Sequence, residues 1–223
     1  AILLQDSGTG DTTAVEAALH GASSVKVEFT VTGTIKRGGA EEKIEGHGTL
    51  LLKDQDKVLL EVTMSQNGSG SLLKIVSDGH TMHYQEGEVN QLAQNTPHGF
   101  GASIEILLAR SGLGLTSLIG VPTAKPQGGI QMTKKYFDVS VAQFYSLSNV
   151  SPVTKDGEHS KQTFSVRTLT GATCDTILWF NPKTSALVKR SVTFKSSGME
   201  GTITETYSTF SLNEQIPDNT FKI

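Results

Sequence analysis

The chain carries a single cysteine, Cys174, in 223 residues. One thiol excludes an intramolecular disulfide and any cysteine-based metal cage. It does not choose a compartment, since exported proteins without disulfides are common enough. An excess of one charge is also missing. Nineteen Lys+Arg stand against 22 Asp+Glu, a net charge of −3. A nucleic-acid binder needs a basic stripe, so no nucleic acid is expected as a partner. No stretch of 18 apolar residues occurs, which excludes a spanning helix. Charged residues make up 18%, below the usual quarter or so. Hydroxyls carry the polarity instead: 22 Ser and 26 Thr, a bias that suits the exposed faces of strands. The chain starts at Ala1 rather than Met. It is therefore expected to be processed or trimmed, with any signal peptide or lipidated cysteine upstream of it.

The dominant pattern is alternation. Val25, Val27, Phe29 and Val31 alternate with Lys26, Glu28, Thr30 and Thr32, which predicts a half-buried strand with the apolar set inward. Further strands are predicted over 44–53, 58–66, 71–77 and 81–85. The turns between these segments are short; Gly38-Gly39 and Asp78-Gly79 carry hairpin chemistry. Short turns between consecutive strands imply an antiparallel meander. A second set follows over 162–168, 173–180, 187–195 and 201–212, and 137–147 reads as a strand or a short helix. Two helices are predicted, near 11–20 and 100–119. Between Val89 and Lys135 no alternation is visible, and this stretch reads as a helical insert. The reading is one domain over 1–223, mainly β with some helix, built on a single antiparallel sheet of about ten strands with helices on one face.

Catalytic and ligating motifs are scarce. No Gly-x-Ser-x-Gly elbow occurs, and the six histidines lie in separate segments, so an enzyme is not expected. His80 and His83 are three apart, which on a strand points them to opposite faces, away from a shared ion. Gly99-Phe100-Gly101 lacks the third small residue of a dinucleotide fingerprint, and no Lys-Ser/Thr follows a glycine loop. No metal and no cofactor is expected. Cys174 reads as a small core residue. The apolar insert is the remaining signal: Ile104, Leu107, Leu108 and Leu118, with neighbours, exceed one helix stripe. They cap a filled core, or they roof a cavity.

Two C-terminal stretches carry a resemblance. One is Leu178-Trp179-Phe180-Asn181-Pro182-Lys183-Thr184-Ser185-Ala186-Leu187; the other is Asn213 with Ile216-Pro217-Asp218-Asn219-Thr220-Phe221. They resemble the tryptophan hairpin and strand exit of the LolA-like superfamily, the bacterial outer-membrane lipoprotein carriers and their relatives LolB and RseB. Asn181 stands where an acid is usual, and Ser185-Ala186 where a glycine is usual. The resemblance implies a strongly curved antiparallel sheet, an open half-barrel, with helices covering its concave face and a lid insert at about 89–135. It implies an apolar cavity for acyl chains, lined by Phe29, Val62, Ile104, Leu107, Leu108, Leu118 and Trp179. The implied partner is a lipid or an acylated protein, with contact to the membrane surface or envelope proteins. The implied place is the periplasm or the outer membrane, and the chain is expected to be a monomer. An RseB-like envelope sensor and a filled-core structural domain are the alternatives.

Overall fold

Alternating segments along the chain pair with their sequence neighbours in one sheet. The structure is a computed structural model, and its described residues are 18, 22–54, 57–94, 146–167, 173–196 and 198–223. The predicted helices near 11–20 and 100–119 lie outside these apart from residue 18, as does most of 137–147. Six strands make a first meander: β1 (Ser24–Arg37), β2 (Ala40–Lys53), β3 (Lys57–Gln66), β4 (Ser69–Asp78), β5 (Thr81–Glu86) and β6 (Val89–Gln94). Six more follow: β7 (Ser146–Ser148), β8 (Thr154–Asp156), β9 (His159–Arg167), β10 (Thr173–Phe180), β11 (Leu187–Ser196) and β12 (Met199–Leu212). The sheet order is β6-β5-β4-β3-β2-β1-β12-β11-β10-β9-β7, with β8 paired to β9. Every described pairing is antiparallel. Among the described residues the two meanders meet at β1 and β12, and β6 and β7 stand at the two ends of the sheet.

Among the described residues twelve strands are seen, against the about ten expected. The start of the 89–135 stretch is β6, not helical insert. Its apolar residues are irregularly spaced, and the strand is defined by its ladder to β5. Tight turns match the chemistry of their residues. Gly38 and Gly39 both have positive φ, 57° and 87°, the backbone a two-residue hairpin requires. Asn67 and Asn213 also take positive φ; their side chains accept hydrogen bonds from the amides of Lys43 and Ser23.

The core lies on one face. Val25, Val27, Phe29 and Val31 are buried, as predicted, and Lys26, Glu28 and Thr30 are not. Across the register they meet Leu52, Leu50, Gly48 and Gly46 of β2. Val58, Leu60 and Val62 of β3 and Leu73 and Ile75 of β4 continue the same face. Leu178 and Phe180 extend it on β10.

The C-terminal tail is fastened separately. Asp218, at the start of a 3-10 turn (Asp218–Phe221), accepts from Lys53 Nζ at 2.7 Å and Lys57 Nζ at 3.1 Å. Lys53 Nζ also donates to the Ile216 carbonyl at 2.7 Å. These contacts seat Ile216 and Phe221, both buried, apart from the main core cluster. Hydrogen bonds from Lys53 and Lys57 hold the Asp218 carboxyl below its usual range. Those from Lys57 to Asp54 and Asp218 raise the Lys57 ammonium. A depressed acid stabilises above its unfolded pKa and ceases to as pH falls through its folded one. A raised base stabilises below its unfolded pKa and ceases to as pH rises through its folded one. The fastening is thus complete between about pH 4 and about pH 10. Below pH 3, and in Asp218→Asn at pH 7, the Phe221 ring resonances should move toward solvent-exposed positions in NMR spectra while those of Phe180 stay. Phe221 signals unmoved in both cases would show that the tail is held by apolar contact alone.

Candidate functional site

The register assembles the site in rows across the sheet. One row runs Leu73, Val62, Gly48, Phe29, Tyr207. The next runs Met64, Gly46, Val31, Glu205, Arg190, Leu178, Gln162. Directly paired residues share a face of an antiparallel sheet, so both rows lie on the buried face. Its first-meander half is almost wholly apolar, and each fully buried Val, Leu, Ile or Phe contributes roughly 1.5–3 kcal/mol. At the turn end of β2–β4 lies a depression of about 610 Å³, lined by Ile44, Met64 and Leu73 together with polar residues such as Ser65, Gln66, Ser71 and Glu86.

Glycines shape the middle of this face. Gly48 lies under the Phe29 ring, where a Cβ would come within 2.5 Å of Phe29 Cζ and of the Glu61 carbonyl oxygen. Gly201 lies under the Phe194 ring in the same way, at 2.9 Å. Glycine within strands marks close approach and bending. A bulge at Glu28/Phe29, opposite β12, adds to the local distortion.

The second-meander half holds buried polar groups. Glu205 and Arg190 pair across β12 and β11 and are 1% and 7% exposed. The Tyr207 hydroxyl donates to Glu205 Oε2. Burial pushes the Tyr207 phenol well above its usual range; the Glu205 charge adds to this and the Arg190 charge opposes it. Thr176 and Cys174 stand on the same face of β10, and burial raises the Cys174 thiol. Arg190 Nη1 and Thr176 Oγ1 are buried with no hydrogen-bond partner. Leaving such a group unpaired costs about 1–3 kcal/mol, more for a charged one.

Of the expected cavity residues, Phe29 and Val62 lie in one row of this face, two strands apart. Ile104, Leu107, Leu108 and Leu118 lie outside the described residues. Trp179 does not join Phe29 and Val62. Leu178 and Phe180 are fully buried on the core face, and strand alternation sends Trp179 to the other side. There its ring packs under two cross-strand lysines, Lys189 Nζ at 4.8 Å and Lys161 Nζ at 5.6 Å. Its indole N–H donates to Asp156 at 2.9 Å. Phe194 is half-buried. The buried Glu205–Arg190 pair was not foreseen. The available signal was the lone acid of Thr204-Glu205-Thr206 on a strand otherwise rich in hydroxyls.

Neither a protein-family model nor a curated protein matches the chain. Solved structures do. The chain is similar to LprF from Mycobacterium bovis at 11% identity and TM-score 0.41, over 92% of this chain and 93% of that one. It is similar to MucB of Pseudomonas aeruginosa, solved with MucA, at 13% identity and TM-score 0.39, over 96% of this chain and 61% of MucB. A third likeness is to a domain described as that of an outer membrane lipoprotein-sorting protein from Vibrio parahaemolyticus. There the identity is 9% and the TM-score 0.37, over 94% of this chain and 93% of that one. The neighbours thus include a lipoprotein-sorting domain of the LolA-like kind. All three scores fall below 0.5, so the functional reading rests on the residues.

Proposed function

We propose that this protein holds acyl chains, of a lipid or of a lipid-modified protein, against the apolar face of its sheet. The observation that supports this is the continuous apolar block from Val25 to Ile75 on one face of the sheet. Each buried methylene contributes roughly 0.8 kcal/mol, so two long chains give ample affinity without any catalytic group. In this reading the protein is a monomeric binder and not an enzyme. It works in the periplasm or at the outer membrane. The hairpin resemblance of residues 178–187 supports the same reading.

The test is titration of the full chain with a fluorescent fatty acid and a synthetic lipopeptide, paired with native mass spectrometry of gently purified protein. Saturable binding and a co-purifying acyl mass are expected. Trp179 is the only tryptophan and stands on the opposite face, so its emission should stay unchanged at saturation. A large Trp179 response would put the ligand on the wrong face. No saturable binding would leave a filled-core structural domain.

A further inference from the structure

Polarity changes along the buried face of β3 and β4. The two strands pair there in four successive rungs: Leu60 with Ile75, Val62 with Leu73, Met64 with Ser71, and Gln66 with Ser69. Directly paired residues share a face, and so do residues two apart on one strand. The first two rungs are buried, Met64 is half-buried, and Gln66, Ser69 and Ser71 are exposed. The face thus runs from hydrocarbon to hydroxyl and carboxamide over about 20 Å. An amphiphile laid on it has one favourable direction, with its chain toward Leu60 and its head toward Gln66.

The two ends of these strands also differ. At the apolar end the C-terminal 3-10 turn packs against β3 and β4, with Phe221 buried. At the polar end lies the 610 Å³ depression. The register sets Ile44 beside Gln66 and Glu86 beside Leu73, so these lining residues belong to the face of the four rungs.

The lining selects the head group. The hydroxyls of Ser65, Ser69 and Ser71 donate and accept, as do the carboxamides of Gln66 and Asn67. Gln66 Nε2 donates to Glu42 Oε2, and Asn67 Oδ1 accepts from the Lys43 amide. Among the described residues lining the depression Glu86 is the one ionisable group, and there is no lysine or arginine. A phosphate or carboxylate would give up hydration with no cation there to replace it. Uncharged hydroxyls meet donors and acceptors of their own kind.

Resting on the acyl-binding reading above, we infer that the depression at the β3–β4 turn is the head-group subsite, and that it takes an uncharged, hydroxyl-bearing head such as the glycerol of a monoacylglycerol.

The experiment displaces the neutral dye N-phenyl-1-naphthylamine from the full chain with three probes, each below its micelle concentration: 1-dodecanoylglycerol, sodium dodecanoate and dodecylammonium chloride. The glycerol ester should bind about tenfold tighter than either ion. Ser71→Lys puts an ammonium on an exposed rung of the depression and should bring dodecanoate level with the ester or tighter. Thr63→Lys, exposed on the opposite face, should leave the ratio unchanged. Orientation is read on the wild type by NMR, which also decides should Ser71→Lys fail to fold. A nitroxide on the glycerol should broaden the Met64 methyl more than the Phe221 ring, and one at the chain end should do the reverse. Either ion binding as tightly as the ester to the wild type overturns the uncharged class in favour of an ion site. Stronger broadening of Phe221 by the glycerol label, or an equal effect of Thr63→Lys, overturns the placement. These results leave acyl binding intact. Displacement by none of the three probes removes the acyl-binding reading and this one with it.

Discussion

Phe180→Ala should lower the unfolding free energy by about 3–5 kcal/mol, while the adjacent Trp179→Ala should cost only about 1–2 kcal/mol. Phe180 is fully buried and belongs to the main core cluster, so its removal opens a cavity that neighbouring strands refill poorly. Trp179 loses two lysine contacts and one hydrogen bond on a face that water reaches. Urea denaturation of both variants against wild type measures the difference. In thermal melts it should appear as a midpoint roughly 10 °C lower for Phe180→Ala. Equal losses would mean that the two faces of β10 are equally load-carrying and that the core assignment is wrong.

Gly48→Val should be nearly as damaging, at about 3 kcal/mol, through overpacking rather than loss. Two obstacles meet the new Cβ at 2.5 Å: a ring carbon of Phe29 and the backbone oxygen of Glu61. The ring has some freedom to turn and the backbone of β3 has little. Shrinking the ring by Phe29→Leu in the Gly48→Val background should therefore rescue only part of the loss. Full rescue would place the whole clash on the ring. Gly38→Ala is the contrasting case. Nothing lies within 4 Å of its Cβ, but its φ is +57°, so a conformational cost of about 1–2 kcal/mol is expected. Denaturant midpoints at constant slope separate the two mechanisms from any change in the denatured state.

What the sequence made legible was local. The Val25–Val31 alternation, the Gly38-Gly39 turn and the successive hairpins are each carried by residues a few positions apart, and each appears in the structure. The β1–β12 seam was not legible, because nothing in either strand names the other. Strand β6 escaped because Val89, Leu92 and Ala93 do not alternate cleanly; its ladder partner makes it a strand. Trp179 was assigned to the cavity from its residue type. Its neighbours Leu178 and Phe180, both apolar, already fixed the register against that. Lysines at the two cross-strand positions, 161 and 189, complete the outward environment. Ser185 shows how a departure from the family hairpin is absorbed. It takes φ of 58°, the left-handed conformation that a glycine at that place would adopt without strain. Of the seven residues expected to line a cavity, two, Phe29 and Val62, share the buried face, and the buried Glu205 was not legible because its burial depends on a cross-strand partner and not on its own strand.

The seam also constrains how the molecule is born. Glu28 and Thr209, bonded across it, are 181 residues apart, whereas the other long ladders join near neighbours in sequence. During synthesis the first meander has its hairpin partners available early, yet the β12 side of β1 stays unpaired until β12 itself has emerged. Closing so long a loop has an entropic cost that grows only logarithmically with its length, but it comes late and slows the search for register. Until then a fourteen-residue strand bearing Val25, Val27, Phe29 and Val31 presents an open ladder, a template for pairing with another chain. A nascent protein of this topology gains by being shielded until β12 is free, and premature truncation anywhere before β12 leaves that ladder exposed for good.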